Sequence, residues 1–443
     1  MKKTIFLLVV STLVNYFSYS QSWNLLPNSP TTGFRHDDIY FINSDTGWVV
    51  NVDGYIYKTT DGGNSFATQL YQPATSFRCV GFANANKGWA GNLGPGSWDP
   101  TTDTNPLYQT TDGGNSWQVV TNITGTLPTG ICGINVVNDT IVYAVGRVGG
   151  PCYIMKTIDG GISWTSVNFD PPAFYLIDCK FFSPDSGLVV GCTGTSFSNE
   201  KIAIWRTTDG GQNWQFAYHD SSSFIGHCWK VSFPSRNIGY ASVETGCSCD
   251  TTPIMKTIDG GLTWQKKIWD TNFIANPSYE QGIGFVNDSV GWCGGFFIGQ
   301  IKGTTDGGNT WNIVSFVENF NRFRKVNDTI AFASGNRIWK YSNQPTGIYK
   351  PTSLDGLILE QNYPNPFSNK TTIQYSLPKK GKLILKVYDF AGRPIKTLVN
   401  AEQNKGTYKV ELSLPYYFDT HFFCTLYFDN YFLTKQMLMV EKE

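Results

Sequence analysis

The sequence predicts an all-β chain: a seven-bladed β-propeller followed by a small antiparallel β-sandwich. Three observations carry this expectation. A Thr-x-Asp-Gly-Gly segment recurs six times, at a period of about fifty residues, the length of a four-stranded propeller blade with its loops. The chain holds 45 Gly and 15% aromatic residues, a mixture suited to short strands joined by tight turns. Beyond residue 345 the repeat stops and a different alternating pattern begins.

The first residues read as a targeting segment. Lys2 and Lys3 precede an apolar run from Ile5 to Val14, and Ser18-Tyr19-Ser20 places small residues where a signal peptidase reads. Residues 1–20 are therefore expected to be a signal peptide cleaved before Gln21, and the protein to be exported. No apolar stretch approaches the roughly 20 residues of a transmembrane anchor. Lys plus Arg and Asp plus Glu are both 34, so neither a nucleic-acid partner nor an acidic solvating tail is indicated.

The repeats run from Thr59 to Phe66, Thr110 to Trp117, Thr157 to Trp164, Thr207 to Trp214, Thr257 to Trp264 and Thr304 to Trp311. Their aspartates are Asp61, Asp112, Asp159, Asp209, Asp259 and Asp306. An Asp side chain can accept bonds from nearby backbone N–H groups and close the turn, while the glycines permit positive φ. Each repeat has a first strand ending near Phe41, Phe82, Val136, Phe181, Phe233, Phe285 or Val326, and a second marked by Gly-Trp or a relative, such as Gly47-Trp48. A third strand such as Tyr55–Lys58 enters the turn, and a fourth leaves it through Ser/Thr-Trp.

First-strand segments number seven, although boxes number six. The seventh repeat ends in Arg337–Tyr341 without a box, and Ser22–Leu26 mimics the fourth strand Ser116–Val120. The mature N-terminus is thus expected to supply the outer strand of the last blade and close the ring. The propeller spans 21–345, a linker 346–356, and the second domain 357–443.

These segments resemble the Asp-box, or bacterial neuraminidase, repeat (BNR-like), and their pairing with Gly-Trp looks most like propellers of the photosystem II assembly factor type. The resemblance implies that the boxes are structural and sit on the hairpin between third and fourth strands. The second domain resembles the type A C-terminal sorting domain of the type IX secretion system. Gln361–Phe367, Tyr375–Pro378, Val387–Asp389, Gly392-Arg393 and Thr434–Leu438 carry that likeness. It implies passage across the outer membrane with that machinery as partner, removal of the domain, and secretion or surface attachment. The family's usual Ser-Gly-Val-Tyr-Phe strand is here Thr420–Cys424.

Ligands of propellers usually occupy the face over the central funnel, opposite the boxes. Aligned on their closing apolar residue, the first strands present Asp37, Arg78, Cys132, Ile177, Trp229, Gln281 and Arg322 in one ring, and Tyr175 and His227 in a second ring nearer the mouth. The candidate loops over the funnel include Gly94–Asn105, Gly191–Glu200, Val243–Pro253 and Trp269–Tyr279; with Trp98 and Trp269 from them and Glu280 from a first strand, the expected contacts are Arg78, Trp98, Tyr175, His227, Trp229, Trp269, Glu280 and Arg322. They point to a non-catalytic binding or scaffold protein for a glycan or protein ligand. The alternative is a glycoside hydrolase of sialidase or other type. Sialidases with this repeat use three arginines, a Tyr–Glu pair and an Asp, roles that Arg35, Arg78, Arg322, Tyr279, Glu280 and Asp37 would have to fill. The Arg-Ile-Pro segment of those enzymes is missing here.

Cys247-Ser248-Cys249 lacks the second half of a zinc site and the chain has only four His, so no metal or other cofactor is expected. In an oxidising compartment some of the ten cysteines should pair. The start of a blade's first strand and the loop after its second lie on one face. That register predicts disulfides Cys132–Cys152, Cys179–Cys192 and Cys228–Cys247 (or Cys249).

Overall fold

The computed structural model describes residues 19–96, 101–169, 173–245, 252–270, 281–295, 301–314, 320–345, 354, 356–389, 394–414, 421–428 and 431–440. The signal-peptide expectation falls on residues 1–18, outside them, apart from Tyr19 and Ser20. Tyr19–Gln344 form one compact unit and the chain from Pro345 a second.

The first unit contains seven sheets, and in blades 1, 2, 4, 5 and 6 the four strands form an up-and-down meander in chain order. Blade 1 comprises His36–Phe41, Gly47–Asn51, Tyr55–Thr59 and Ala67–Tyr71. The innermost strands of blades 2 to 7 are Phe77–Phe82, Gly133–Val136, Tyr175–Phe181, Gly226–Ser232, Gly282–Phe285 and Arg322–Lys325. The ring closes as the sequence predicts. Tyr19–Leu25 forms the outer strand of blade 7 beside Ile338–Pro345, and Leu26 N donates to Ile338 O at 3.0 Å. Trp23 fills the gap to blade 6, with its ring 5.2 Å from that of Trp292. Blade 3 carries a fifth strand not foreseen, Ile123–Gly125, parallel to Trp164–Asn168.

Each Thr-x-Asp-Gly-Gly turn is closed by its own side chains. Thr59 Oγ1 donates to Asp61 Oδ1 at 2.9 Å and accepts from Gly63 N at 2.9 Å. Ser65 donates its N–H to Asp61 Oδ1 at 2.9 Å and its hydroxyl to Oδ2 at 2.6 Å. The pattern repeats at Asp112, Asp159, Asp209, Asp259 and Asp306, with Asn213 or Thr in the serine's place where the sequence differs. Donation from the residue four positions on holds the carboxyls of Asp61, Asp112 and Asp159 down to about 2. Both glycines of the turn take positive φ, 71° and 91° at Gly62 and Gly63, where a side chain would be strained.

The turn also joins one blade to the next. The carbonyl of Gly113 in blade 2 accepts from Trp48 Nε1 (3.2 Å) and Lys58 Nζ (2.9 Å) of blade 1. Gly210 O accepts from Tyr143 OH and Lys156 Nζ, each at 3.0 Å. Gly307 O accepts from Tyr240 OH and Lys256 Nζ at 3.0 and 2.6 Å. The N–H of the same glycine donates within its own blade to the turn after the first strand, as Gly113 N does to Asn86 O at 2.8 Å. Boxes and first turns therefore share one face.

The Gly-aromatic marks of the second strands have a packing cause. Trp48 stacks on Phe82 of the next blade with centroids 3.5 Å apart, Tyr143 on Phe181 at 3.4 Å, and Tyr240 on Phe285 at 3.6 Å. The box tryptophan of the receiving blade meets the same ring edge-on, as Trp117 meets Phe82 at 6.0 Å. A Cβ on Gly88 would stand 2.5 Å from the Phe82 ring, and Gly187, Gly239 and Gly291 are equally confined. Only glycine lets the strand pass there.

In the second unit, Ile358–Leu359, Lys370–Leu377 and Gly406–Ser413 form one sheet. Pro394–Gln403, Gly381–Asp389, His421–Phe428 and Tyr431–Leu438 form the other. Alternate residues such as Tyr375, Leu385, Phe422, Leu426 and Met437 build the core between them. Asn365 Oδ1 accepts from Leu438 N at 2.7 Å, so the Tyr-Pro-Asn-Pro-Phe segment ties the domain's first and last stretches.

The expected disulfides are not formed among the described residues: Cys132, Cys179, Cys192 and Cys228 are buried free thiols. The register explains two of the failures. Cys132 precedes the innermost strand of blade 3 and Cys152 the third, with Val142–Gly146 between them. Their backbones stand two strand spacings apart, about 10 Å, beyond the limit of about 7 Å for a bridge. Cys179 pairs with Val189 whereas Cys192 pairs with Tyr175, so about three residues of strand, roughly 10 Å, divide them. Cys247, the expected partner of Cys228, lies outside the described residues, as does Cys249. The thiols behave as small apolar groups: Cys132 and Cys192 pack with Leu93, Val148, Ile177 and Trp229.

Two outcomes follow from this packing. Gly88→Val should destabilise the protein by about 1–3 kcal/mol through overpacking on Phe82, read as a lower thermal midpoint. Alkylation of unreduced, denatured protein should label Cys132, Cys179 and Cys192. A peptide map showing any of them cross-linked would contradict the register.

Candidate functional site

The innermost strands are irregular where they line the channel. Pairing with the second strand skips a residue between His36 and Asp38, Phe77 and Cys79, Leu176 and Asp178, and shifts between Cys228 and Val231. The bulged residues include Asp37, Arg78, Ile177 and Trp229, four members of the ring predicted from alignment. Bulges re-aim side chains and are enriched beside sites.

On the funnel face these residues meet. Asp37 Oδ1 binds Arg35 Nε at 2.9 Å and Arg78 Nη1 at 2.6 Å, and the Arg78 guanidinium lies 5.5 Å over the Trp229 ring. His227 stands between Tyr175 and Trp229, with ring centroids 5.1 and 5.4 Å away. Its Nδ1 lies 2.8 Å from Glu200 Oε2, and its Nε2 3.9 Å from Glu244 Oε2. Glu244 in turn accepts from Gln281 Nε2 at 2.9 Å. All of these side chains are buried.

The environment shifts their titration. Burial disfavours the charged form of His227, but donation to Glu200 and the charges of Glu244 and Glu200 outweigh it and raise its pKa. Burial pushes the Glu244 carboxyl up. Burial, then the Glu200 charge, pushes the Tyr175 phenol up. Five buried atoms here have no hydrogen-bond partner: Tyr175 OH, Glu200 Oε1, His227 Nε2, Trp229 Nε1 and Asp37 Oδ2. Buried polar atoms are ordinarily paired, and these five exceptions lie together around His227.

Of the predicted contacts, Arg78, Tyr175, His227 and Trp229 come together. Trp98 and Glu280 lie outside the described residues. Trp269 is elsewhere: it leaves the outer strand of blade 5 and packs between blades on Trp311 and Phe285. Arg322 sits deeper, spanning the channel with Nη1 2.6 Å from Asp178 Oδ2 and Nε 2.9 Å from Asp38 Oδ1. Arg324 adds a second cation to Asp38 at 3.1 Å. Beside them Lys230 is held down to about 8 by burial and the Arg322 charge, against Asp178 and Asp38. These ion pairs link the innermost strands of blades 1, 4 and 7. Sequence reasoning missed Glu200, Glu244, Asp38, Asp178 and Lys230. Glu200 closes a loop recognised as a candidate, and the bulges moved the aspartates into the channel. Among the described residues no group of His, Cys, Asp and Glu is arranged to hold a metal.

Residues 361–418 match the family model of the secretion system C-terminal sorting domain. The fold and this tail together define a class: a seven-bladed propeller that is secreted or attached to the outer surface. Among solved structures the chain resembles YCF48 bound to D1 peptide, at 20% identity and TM-score 0.54 over 74% of this chain and 96% of that one. It also resembles YCF48 from Cyanidioschyzon merolae, at 17% and 0.55 over 72% and 98%. A GH74 xyloglucanase from Xanthomonas campestris aligns at 10% and 0.51 over 80% and 59%. These likenesses bear on the fold alone. No curated protein sequence matches the chain. Among the described residues no helix is long and apolar enough to cross a membrane.

The His227–Glu200 pair gives a pH dependence with a definite sign. A histidine whose native pKa is raised above about 6.5 stabilises fully below that value and loses the contribution as pH rises through the native pKa. Thermal stability should fall across that window, and the His227 ring signals should titrate there by NMR. Glu200→Gln should abolish that pH dependence and move the midpoint back down. A His227 midpoint below 6.5 in the native protein would contradict the assignment.

Proposed function

We propose that the propeller is a non-catalytic extracellular binding or scaffold protein whose ligand, a glycan or a protein segment, docks on the funnel face. The concentration of unsatisfied buried polar atoms around His227 carries this reading. Tyr175 and Trp229 supply flat faces of the kind that sugars and peptide side chains pack against. Glu200, His227 and Asp37 supply acceptors and a donor that a polyhydroxylated or amide-rich ligand would satisfy. The sorting domain is proposed to route the chain through the type IX machinery and then to be removed, leaving the propeller free or anchored outside. The boxes keep a purely structural role, as Asp-box turns.

A hydrolase is the second reading, favoured by one feature: Glu200 and Glu244 approach His227 from its two nitrogens, and burial raises the Glu244 carboxyl as a general acid requires. One experiment separates the two. Purified protein is applied to glycan and peptide arrays, and the glycans that bind are assayed for cleavage. Binding without turnover is expected, with Trp229→Ala weakening it by about 1–3 kcal/mol. Turnover that disappears in Glu244→Gln would replace binding with hydrolysis as the function. Binding that survives Trp229→Ala unchanged would remove the funnel as the site.

A further inference from the structure

The box-side mouth of the channel holds a cavity separate from the funnel. Its volume is about 420 Å³, within the range that encloses small organic ligands. Val136 and Val137 of blade 3, Phe182 of blade 4 and Phe233 of blade 5 wall it, and Lys180 and Arg236 are its charged members. The two phenyl rings meet edge-on, with centroids 4.8 Å apart. The Arg236 guanidinium lies 3.9 Å over the Phe182 ring and donates to Gly260 O at 3.3 Å.

The charges around this mouth do not balance. Arg324 is paired with Asp38 at 3.1 Å and Lys325 with Asp328 at 2.6 Å. Among the described residues no carboxylate lies within ion-pair distance of Lys180 or Arg236. Burial, then the charge of Arg324, lowers the Lys180 pKa. Two cations, Lys180 half-buried and Arg236 exposed, thus border the cavity with no carboxylate among the described residues to pair with them.

We infer that this cavity binds a small organic anion, with a carboxylate or phosphate ester head between Lys180 and Arg236 and an apolar body against Val136, Phe182 and Phe233. The two phenyl rings favour an apolar body over a bare hydrated ion, and the cations select against neutral or basic analogues. The inference is independent of the funnel reading, because it concerns the opposite face.

Calorimetric titration with benzoate, phenyl phosphate and benzyl alcohol tests it on the purified protein. Both anions, or one of them, should bind, and benzyl alcohol should bind at least about tenfold more weakly. The tighter anion identifies the head group. Lys180→Met and Arg236→Gln should each weaken the anion by about tenfold while leaving benzyl alcohol unaffected. Arg236 is exposed, so its variant should fold even if Lys180→Met does not. Equal binding of alcohol and anions, no binding of either anion at millimolar concentration, or an unchanged affinity in Arg236→Gln would overturn the inference.

Discussion

The propeller depends on one joint, the peptide of the first glycine in the Asp-Gly-Gly turns. Its N–H holds the first turn of its own blade in all six, and at Gly62, Gly113, Gly210 and Gly307 its carbonyl accepts from the preceding blade, as Gly113 does from Trp48 and Lys58. A blade buries its faces only against its neighbours, so the angle between blades must be fixed by something directional. Apolar packing alone is not directional. The glycine carbonyl supplies the direction, and the stacked pair of second-strand aromatic and first-strand Phe supplies the buried area. The Asp side chain matters because it holds the turn in the conformation that presents that carbonyl.

Fixing the blades on the box side leaves the other side of the channel free to vary. Bulges interrupt the inner strands there, and they bring charged residues inward at positions a regular strand would direct to the blade faces. The result is two layers of buried charge. The deeper one, Arg322 with Asp38 and Asp178, is internally paired and ties blades 1, 4 and 7 together. Removing one partner of such a set leaves a buried charge uncompensated, which usually costs several kcal/mol. The upper one, around His227, is paired incompletely.

The cysteines show how packing overrides compartment. An exported chain meets oxidising conditions, yet Cys132, Cys179 and Cys192 lie in apolar clusters with their strands in register. Bridging them would require moving strands that the blade hydrogen bonds hold in place. In the C-terminal domain, Cys424 likewise faces inward in an alternating strand, Phe422–Cys424–Leu426, and serves as core.

The sequence by itself determined the blade count, the closure by Ser22–Leu26, the box turns and the sandwich that follows. Each of these rests on local pattern: turn chemistry that needs specific residues, a fifty-residue period, and alternation along a strand. The juxtaposition of Arg78, Tyr175, His227 and Trp229 was legible for the same reason, because Arg78 and Trp229 share one offset from the closing residue of their strands and Tyr175 and His227 another. What only the tertiary structure decided was which side chains face one another across the channel or between blades. Glu200 and Glu244 reach His227 from a loop and a second strand, Arg322 crosses to Asp178 144 residues away, and Trp269 turns into a blade interface. A one-residue bulge reverses the direction of a side chain, and no periodicity in the sequence announces where a bulge will fall. For the same reason the disulfide expectation failed: it placed cysteines on the correct face but could not count the strand spacings between them.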